Sequence, residues 1–311
     1  MQVLTFVESG TRKLGAIYGD RVVDLYAADP RPEFREMTRF IEGGEAALTA
    51  ARTACAAAPP EAVRDSVSLT LAAPLLPSTV LCAGSNYRAH NAEKAGAPLS
   101  GKEPEFFLKT ADCVVAPGEG IVHDPRLTAK LDCETELAIV IGKPGRHIPV
   151  EEALDHVFGY TVANDVTARD RQVRFTDDGT VFYELGRGKA FDGSLPIGPV
   201  ITTTEDIPNP QALMLSTRIN GELRQHASTG DMIWTCAELI QVFSTNFTLK
   251  PGMVILTGTP AGTAWSVDAE LGGSWQPTDD LVAATRYCLP GDVVESEIEG
   301  IGVLRNPVIE G

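Results

Sequence analysis

No C-x-x-C pair occurs anywhere in the 311 residues, and the six cysteines (Cys55, Cys82, Cys113, Cys133, Cys236 and Cys288) are scattered. That absence argues against a zinc knuckle, a thioredoxin-type motif and a disulfide scaffold, and leaves reduced, mostly buried thiols as the simplest reading. Basic residues are scarce as well: 26 Lys and Arg stand against 42 Asp and Glu, a formal net charge of -16. A surface of that sign repels phosphate backbones and anionic lipid, which are bound through clustered cations. Neither nucleic acid nor a membrane surface is expected as a partner. An anionic substrate would need a local positive centre, and a bound divalent cation is one way to supply it.

No basic stretch followed by a long apolar run is present near the start, where Glu8 follows Val7, so a cytoplasmic location is expected. The longest uncharged run, 66–87, contains Pro74, Pro77, Gly84 and Asn86, which suits a linker entering a buried strand better than a membrane span. A G-x-S-x-G elbow is missing, and Gly186-Arg187-Gly188-Lys189 completes neither a dinucleotide loop nor a P-loop. The common serine hydrolase and nucleotide readings therefore fall away.

What is present is ordinary globular composition, 43% hydrophobic and 22% charged. At about 150 residues per domain the length suits a large domain with a small companion, here read as a small N-terminal α+β domain over 1–75 and a larger domain over 76–311. Short strands with turns are expected up to Leu25, then helical spacing over 31–57 that ends at Pro59-Pro60. After Thr79 short β-branched runs separated by Gly and Pro dominate, including 80–82, 105–109, 136–141, 159–163, 200–203, 213–219, 253–256 and 292–303. Helices are expected only around 89–94, 150–156, 168–174 and 235–247. That density of short strands predicts a β-rich α+β fold, a mixed roll or sandwich, over a doubly wound sheet.

Three clusters could carry chemistry. Asp132, Glu134 and Glu136 alternate along a sequence of strand composition, so one strand face would carry all three. Like charges entering an apolar run need a cation, and hard oxygen ligands suit Mg²⁺, Mn²⁺ or Ca²⁺. Glu295, Glu297 and Glu299 repeat the spacing, so pattern alone leaves either trio open, and a solvated strand face explains both equally well. His90 and Glu93 lie three apart, which on a helical turn sets a carboxylate beside an imidazole and makes a general base; an exposed surface pair is the bland alternative. Asp165 follows an apolar strand, where it either projects into a site or, like Thr167, caps the next helix.

Taken in order, Gly84-Ser85-Asn86-Tyr87 with His90 and Glu93, Pro104 to Lys109, Glu134-x-Glu136, Asn164-Asp165-x-Thr167-Ala168-Arg169-Asp170-x-Gln172, Gly188-Lys189-x-Phe191-Asp192, Pro196 to Pro199, Asn220-Gly221, Leu256 to Gly262, Pro290 to Val294 and Glu299 to Gly302 resemble the fumarylacetoacetate hydrolase family. The resemblance implies a mixed β-roll catalytic domain, a homodimer, and Mg²⁺ or Mn²⁺ held by Glu134, Glu136 and Asp165. It thereby favours the first acidic trio over the second. It further implies water activated by His90, oriented by Glu93, with Lys189 and Gln172 stabilising the developing oxyanion or enolate. Tyr87, Lys109, Arg169 and Thr259 are expected to contact the substrate.

The implied activity is a metal-dependent hydrolase cleaving a carbon-carbon bond in an anionic acylpyruvate-like or β-diketone keto acid. The alternative is an isomerase, decarboxylase or hydratase of a related 2-oxo or 2-hydroxy-dienoic acid at the same metal site. The segment 263–289 is longer than in many relatives and holds Trp265 and Trp275. It is expected either near the site or dimer contact, or as a surface insertion with a small apolar patch.

Overall fold

The computed structural model describes residues 1–93, 103–278 and 280–311. Every residue of Thr135–Ile141 and Val157–Asn164 is buried. A strand covered on both faces belongs in the middle of a sheet. These two pair antiparallel, flanked by Leu195–Thr203 on one side and Val254–Leu256 on the other. From Val254–Leu256 the sheet continues through its parallel neighbour Val80–Ala83 to Phe106–Lys109. On the opposite side it runs from Leu195–Thr203 through Gln2–Glu8, Thr11–Tyr18 and Arg21–Asp24 to Val63–Asp65. With two side branches, this sheet has 12 strands among the described residues. A second sheet of five orders Glu222–Ser228, Met214–Ile219, Val293–Ile298, Gly302–Glu310 and Ile121–His123.

Alternation along the central strand divides the core. Ala138 and Val140 join Phe34, Phe40, Ile41 and Ala51 from the N-terminal helices on one face. Leu137 and Ile139 join Leu239, Ile240 and Phe243 of the helix Cys236–Asn246, with Ile298 and Leu304 of the second sheet, on the other. That helix starts cleanly because Thr235 and Glu238 form a reciprocal capping box. The N-terminal segment shares the large sheet, through Gln2↔Thr202 and Val3↔Ile201, so strand pairing crosses the expected boundary near residue 75.

The β-rich α+β expectation is met, with local corrections. The helical stretch over 31–57 is split: Pro32–Arg35 is a 3-10 turn, Met37–Glu42 ends at Gly43, and Gly44, at φ +54°, restarts the chain as Gly44–Ala56. A side chain at Gly44 would strain that backbone. Val150–His156 is 3-10 rather than α. The expected helix over 168–174 shortens to Arg169–Gln172, and that over 89–94 is Arg88–Ala92, Lys94 lying outside the described residues.

Candidate metal centre

The cluster is built where two central strands begin and end. Glu134 precedes Thr135–Ile141, Glu136 lies within it, and Asp165 follows Val157–Asn164. The register Thr135↔Asn164 brings these ends together. The Asp165 amide donates to the Glu134 carbonyl at 2.8 Å, and the Glu134 amide donates to Asn164 Oδ1 at 2.9 Å. Glu134, Glu136 and Asp165 thus converge, each buried, with one oxygen apiece all within 4.8 Å of one another.

Asp132 does not join them, which corrects the expectation of a single strand face. The strand is interrupted: Leu131–Asp132 pairs with Thr167–Ala168, and the next strand starts only at Thr135. The Asp132 carboxylate accepts from Arg169 Nε at 2.8 Å and from the amides of Ala264 and Trp265 at 3.0 and 3.1 Å. Asp165 does not cap a helix either, since the residue before Arg169–Gln172 is Ala168 and makes no side-chain cap.

Cations surround the three acids. Lys189 Nζ donates to Glu134 Oε2 at 2.5 Å and Asp165 Oδ2 at 2.7 Å. Arg169 Nη2 donates to Glu134 Oε1 at 2.5 Å and Nη1 to Gln172 Oε1 at 2.9 Å. Burial would raise the Glu134 carboxyl, but the charges of Lys189, Arg169 and His90 outweigh it and hold it well below the usual range. Glu136 goes the other way: burial, then the negative charges of Asp165 and Glu134, push its carboxyl well above that range, against the pull of Lys189 and the Gly258 amide. That amide donates to Glu136 Oε2 at 2.6 Å. Gly258 is at φ +92°, and a Cβ there would come 2.7 Å from Asn86 Cβ, so the close approach requires glycine.

His90 faces the same cluster. Its Nδ1 is 2.5 Å from Glu93 Oε2 and its Nε2 4.0 Å from Glu134 Oε1. Glu93 is itself fixed, accepting from the Gly262 amide at 2.5 Å and the Thr263 hydroxyl at 3.2 Å. With Glu93 ionised, a carboxylate can only accept, so Nδ1 donates to it, and Nε2 is turned towards the acids.

His90, Glu134, Glu136, Asp165, Gln172, Lys189 and Thr259 all line one cleft of about 70 Å³. Tyr87, Lys109 and Arg169, expected to contact substrate, do not line it. Lys109 is buried behind Asp165, its ammonium 2.8 Å from Oδ1 and bonded to the Lys189 and Ser194 carbonyls. Arg169 lies beneath Glu134, and Tyr87 faces a separate cavity. Glu93 acts through His90. The segment 263–289 supports the site: Trp265, 1% exposed, stacks 5.0 Å from the Arg169 guanidinium, and the Ser274 amide donates to the Glu93 carbonyl at 2.9 Å. Asn164 and Gly258 were not singled out from the sequence as site residues; their signal was adjacency to Asp165 and to Thr259.

The donor set fits a divalent ion. Among the described residues, five buried carboxylates (Glu93, Asp132, Glu134, Glu136, Asp165) meet three buried Lys and Arg cations (Lys109, Arg169, Lys189), so with all five acids ionised, as a bound cation would require, two negative charges are left for it to balance. Asp165 Oδ1 is a buried acceptor without a hydrogen bond, since the nearby lysine is out of line.

A family model of the fumarylacetoacetate (FAA) hydrolase C-terminal region matches residues 79–309. The chain belongs to the fumarylacetoacetate hydrolase family. It is 38% identical over 291 residues to the human mitochondrial oxaloacetate tautomerase FAHD2A, covering 94% of this chain and 85% of that protein. The fumarylacetoacetate hydrolase of Exiguobacterium antarcticum superposes with a TM-score of 0.78 at 34% identity, with 100% of each chain covered. The maleylpyruvate hydrolase of Sphingobium sp. SYK-6, in complex with manganese(II) and pyruvate, has a TM-score of 0.72 at 28% identity, again covering 100% of each chain. The fumarylacetoacetate hydrolase fold and the buried acidic cluster thus go together in this chain. Among the described residues, no helix is long and apolar enough to cross a membrane.

Proposed function

We propose that this chain is a divalent-cation-dependent enzyme that moves protons on a small 2-oxo acid, a keto–enol tautomerase of a dicarboxylate such as oxaloacetate. The observation that carries the reading is the His90–Glu93 pair, with Nδ1 anchored at 2.5 Å and Nε2 facing the acidic cluster. The 38% identity to a protein named as an oxaloacetate tautomerase supports the substrate class. Glu134, Glu136 and Asp165 would hold Mg²⁺ or Mn²⁺, which when bound supplies a Lewis acid that polarises the 2-oxo carbonyl.

The chain's own residues perform the proton transfer. His90 Nε2 removes a proton from the carbon beside the 2-oxo group, and Glu93 stabilises the imidazolium that results. Lys189 has three N–H donors, two of them committed to Glu134 and Asp165, so one remains for the developing oxyanion. Gln172 accepts from Arg169 through Oε1, which leaves its amide N–H groups free to donate. His90 then returns the proton to oxygen or to carbon, and the step runs in either direction.

Carbon-carbon hydrolysis is the second reading. The same His90 could take its proton from water, and the manganese- and pyruvate-bound neighbour is a maleylpyruvate hydrolase. The two readings separate in labelled solvent. With Mn²⁺ present, a tautomerase accelerates enol-to-keto conversion of oxaloacetate and exchanges its methylene hydrogens with D₂O without breaking the carbon chain. Rapid cleavage of a 2,4-diketo acid with oxygen from labelled water in the new carboxylate, and no acceleration of enol conversion, would establish the hydrolase instead. Full activity after exhaustive chelation would remove the cation from both readings.

A further inference from the structure

Two thiols outside the acidic cluster stand unusually close. Cys133 Sγ and Cys288 Sγ are 3.8 Å apart, and the Cys288 amide donates to the Leu131 carbonyl at 2.9 Å, so the two backbones are held together as well. Cys133 is 2% and Cys288 3% exposed, yet both line a cavity of about 170 Å³ together with Asn220, Arg286 and Tyr287. That volume is enough for several waters, and so for a small polar oxidant. The pair belongs to a small apolar cluster with Leu131, Val166 and Val294, and the other four cysteines are packed into the two larger apolar clusters.

We propose that Cys133 and Cys288 form an oxidation site, a dithiol that peroxide converts to a reversible disulfide. One thiol sulfur attacks a peroxide oxygen, giving a sulfenic acid and one water. The second thiol displaces that hydroxyl as a second water, forming the sulfur-sulfur bond. Two hydrogens and two electrons leave the protein and reduce the peroxide, so the step balances. The site matters because of what borders Cys133. On one side is Asp132, which anchors Arg169 and the amides of Ala264 and Trp265. On the other is Glu134 of the acidic cluster. Drawing Cys133 towards Cys288 displaces both neighbours, and disturbing the supports of a metal ligand typically weakens binding roughly 10- to 100-fold. This coupling rests on the proposed cation site; the disulfide does not.

The test treats the full-length protein with hydrogen peroxide, alkylates remaining thiols under denaturing conditions and maps the peptides, with Mn²⁺ binding measured on the same samples. The expected result is one cross-linked peptide pair joining Cys133 and Cys288, released by dithiothreitol, with Mn²⁺ binding at least about 10-fold weaker while it persists. Cys288→Ser should bind Mn²⁺ normally and resist the peroxide effect, and Cys133→Ala should do the same if the first variant does not fold. Thiols that stay free, or that end as two separate sulfinic acids, would overturn the proposal. A disulfide that leaves Mn²⁺ affinity unchanged would overturn the coupling. Absence of Mn²⁺ binding to the reduced protein would overturn the cation site and leave the oxidation site standing.

Discussion

Two sets of acids in this chain share a spacing and differ in everything that matters to chemistry. Glu134 and Glu136 enter a strand lying between two others in the large sheet and covered on both faces, so their carboxylates stay dry. Glu295 and Glu297 lie in a strand of the second sheet and Glu299 just after it; the alternate residues Val294, Ser296 and Ile298 fill the interior and leave the acids half-buried or exposed. The second set even has a histidine: Ser216 pairs with His226 on one side and Glu297 on the other, and His226, Glu297 and Glu299 border one groove. What it lacks is burial and a ring of ion-paired cations: among the described residues Arg305, 3.4 Å from Glu295, makes the one ion pair, and Arg218 stands opposite Glu295 on the neighbouring strand. Alternation tells which face a side chain takes. The strand's position in the sheet decides whether that face is dry enough to concentrate charge.

The largest effect is expected at Glu134. Glu134→Ala should lower Mn²⁺ affinity by more than about 100-fold and cost roughly 3–5 kcal/mol of stability, because Lys189 and Arg169 lose the carboxylate between them. Calorimetric titration and chemical denaturation measure both, and near-normal binding would break the comparison. His90→Ala should reduce kcat by roughly 10²- to 10⁴-fold with Mn²⁺ affinity close to wild type. His226→Ala should leave kcat alone, and steady-state rates for the pair compare the two histidines directly.

A smaller effect concerns protons. Glu136 is held above the ordinary carboxylate range, so the folded, cation-free protein binds more protons than the unfolded chain. The stability this contributes is complete below the ordinary value near 4.5 and is lost as pH rises through the elevated folded value. Between the ordinary and the elevated value, Mn²⁺ binding should therefore displace a proton from Glu136, seen as a buffer-dependent binding enthalpy. Glu136→Gln should abolish that release. The smallest effect is Glu297→Ala, expected within about 0.5 kcal/mol of wild-type stability and with unchanged Mn²⁺ binding. A loss comparable to that at Glu134 would show that burial is not what separates the two sets.

Much of the fold was legible in the sequence because period-two alternation and Gly/Pro punctuation are local. The central strands around 136–141 and 159–163 fall where expected, whereas Glu222–Ser228 was missed, its Glu, Arg, Gln and His residues masking the pattern. The acids themselves were visible as residue types, but Asp132 was grouped with the wrong partners because the strand breaks between Asp132 and Thr135. Lys109 and Arg169 were read from the resemblance as substrate contacts, and the sequence carried no sign that they are buried counter-charges for Asp165 and for Glu134 with Asp132. Whether a cation faces inwards to a ligand or backwards to a support is fixed by long-range packing, and neither spacing nor composition records it.

The most direct measurement is anomalous diffraction from Mn²⁺-soaked crystals collected near the manganese edge. One strong peak among the carboxylate oxygens of Glu134, Glu136 and Asp165, with none at Glu295, Glu297 or Glu299, is the expected result. A peak at the terminal hairpin, or an empty cluster with Lys189 still bridging Glu134 and Asp165, would contradict it.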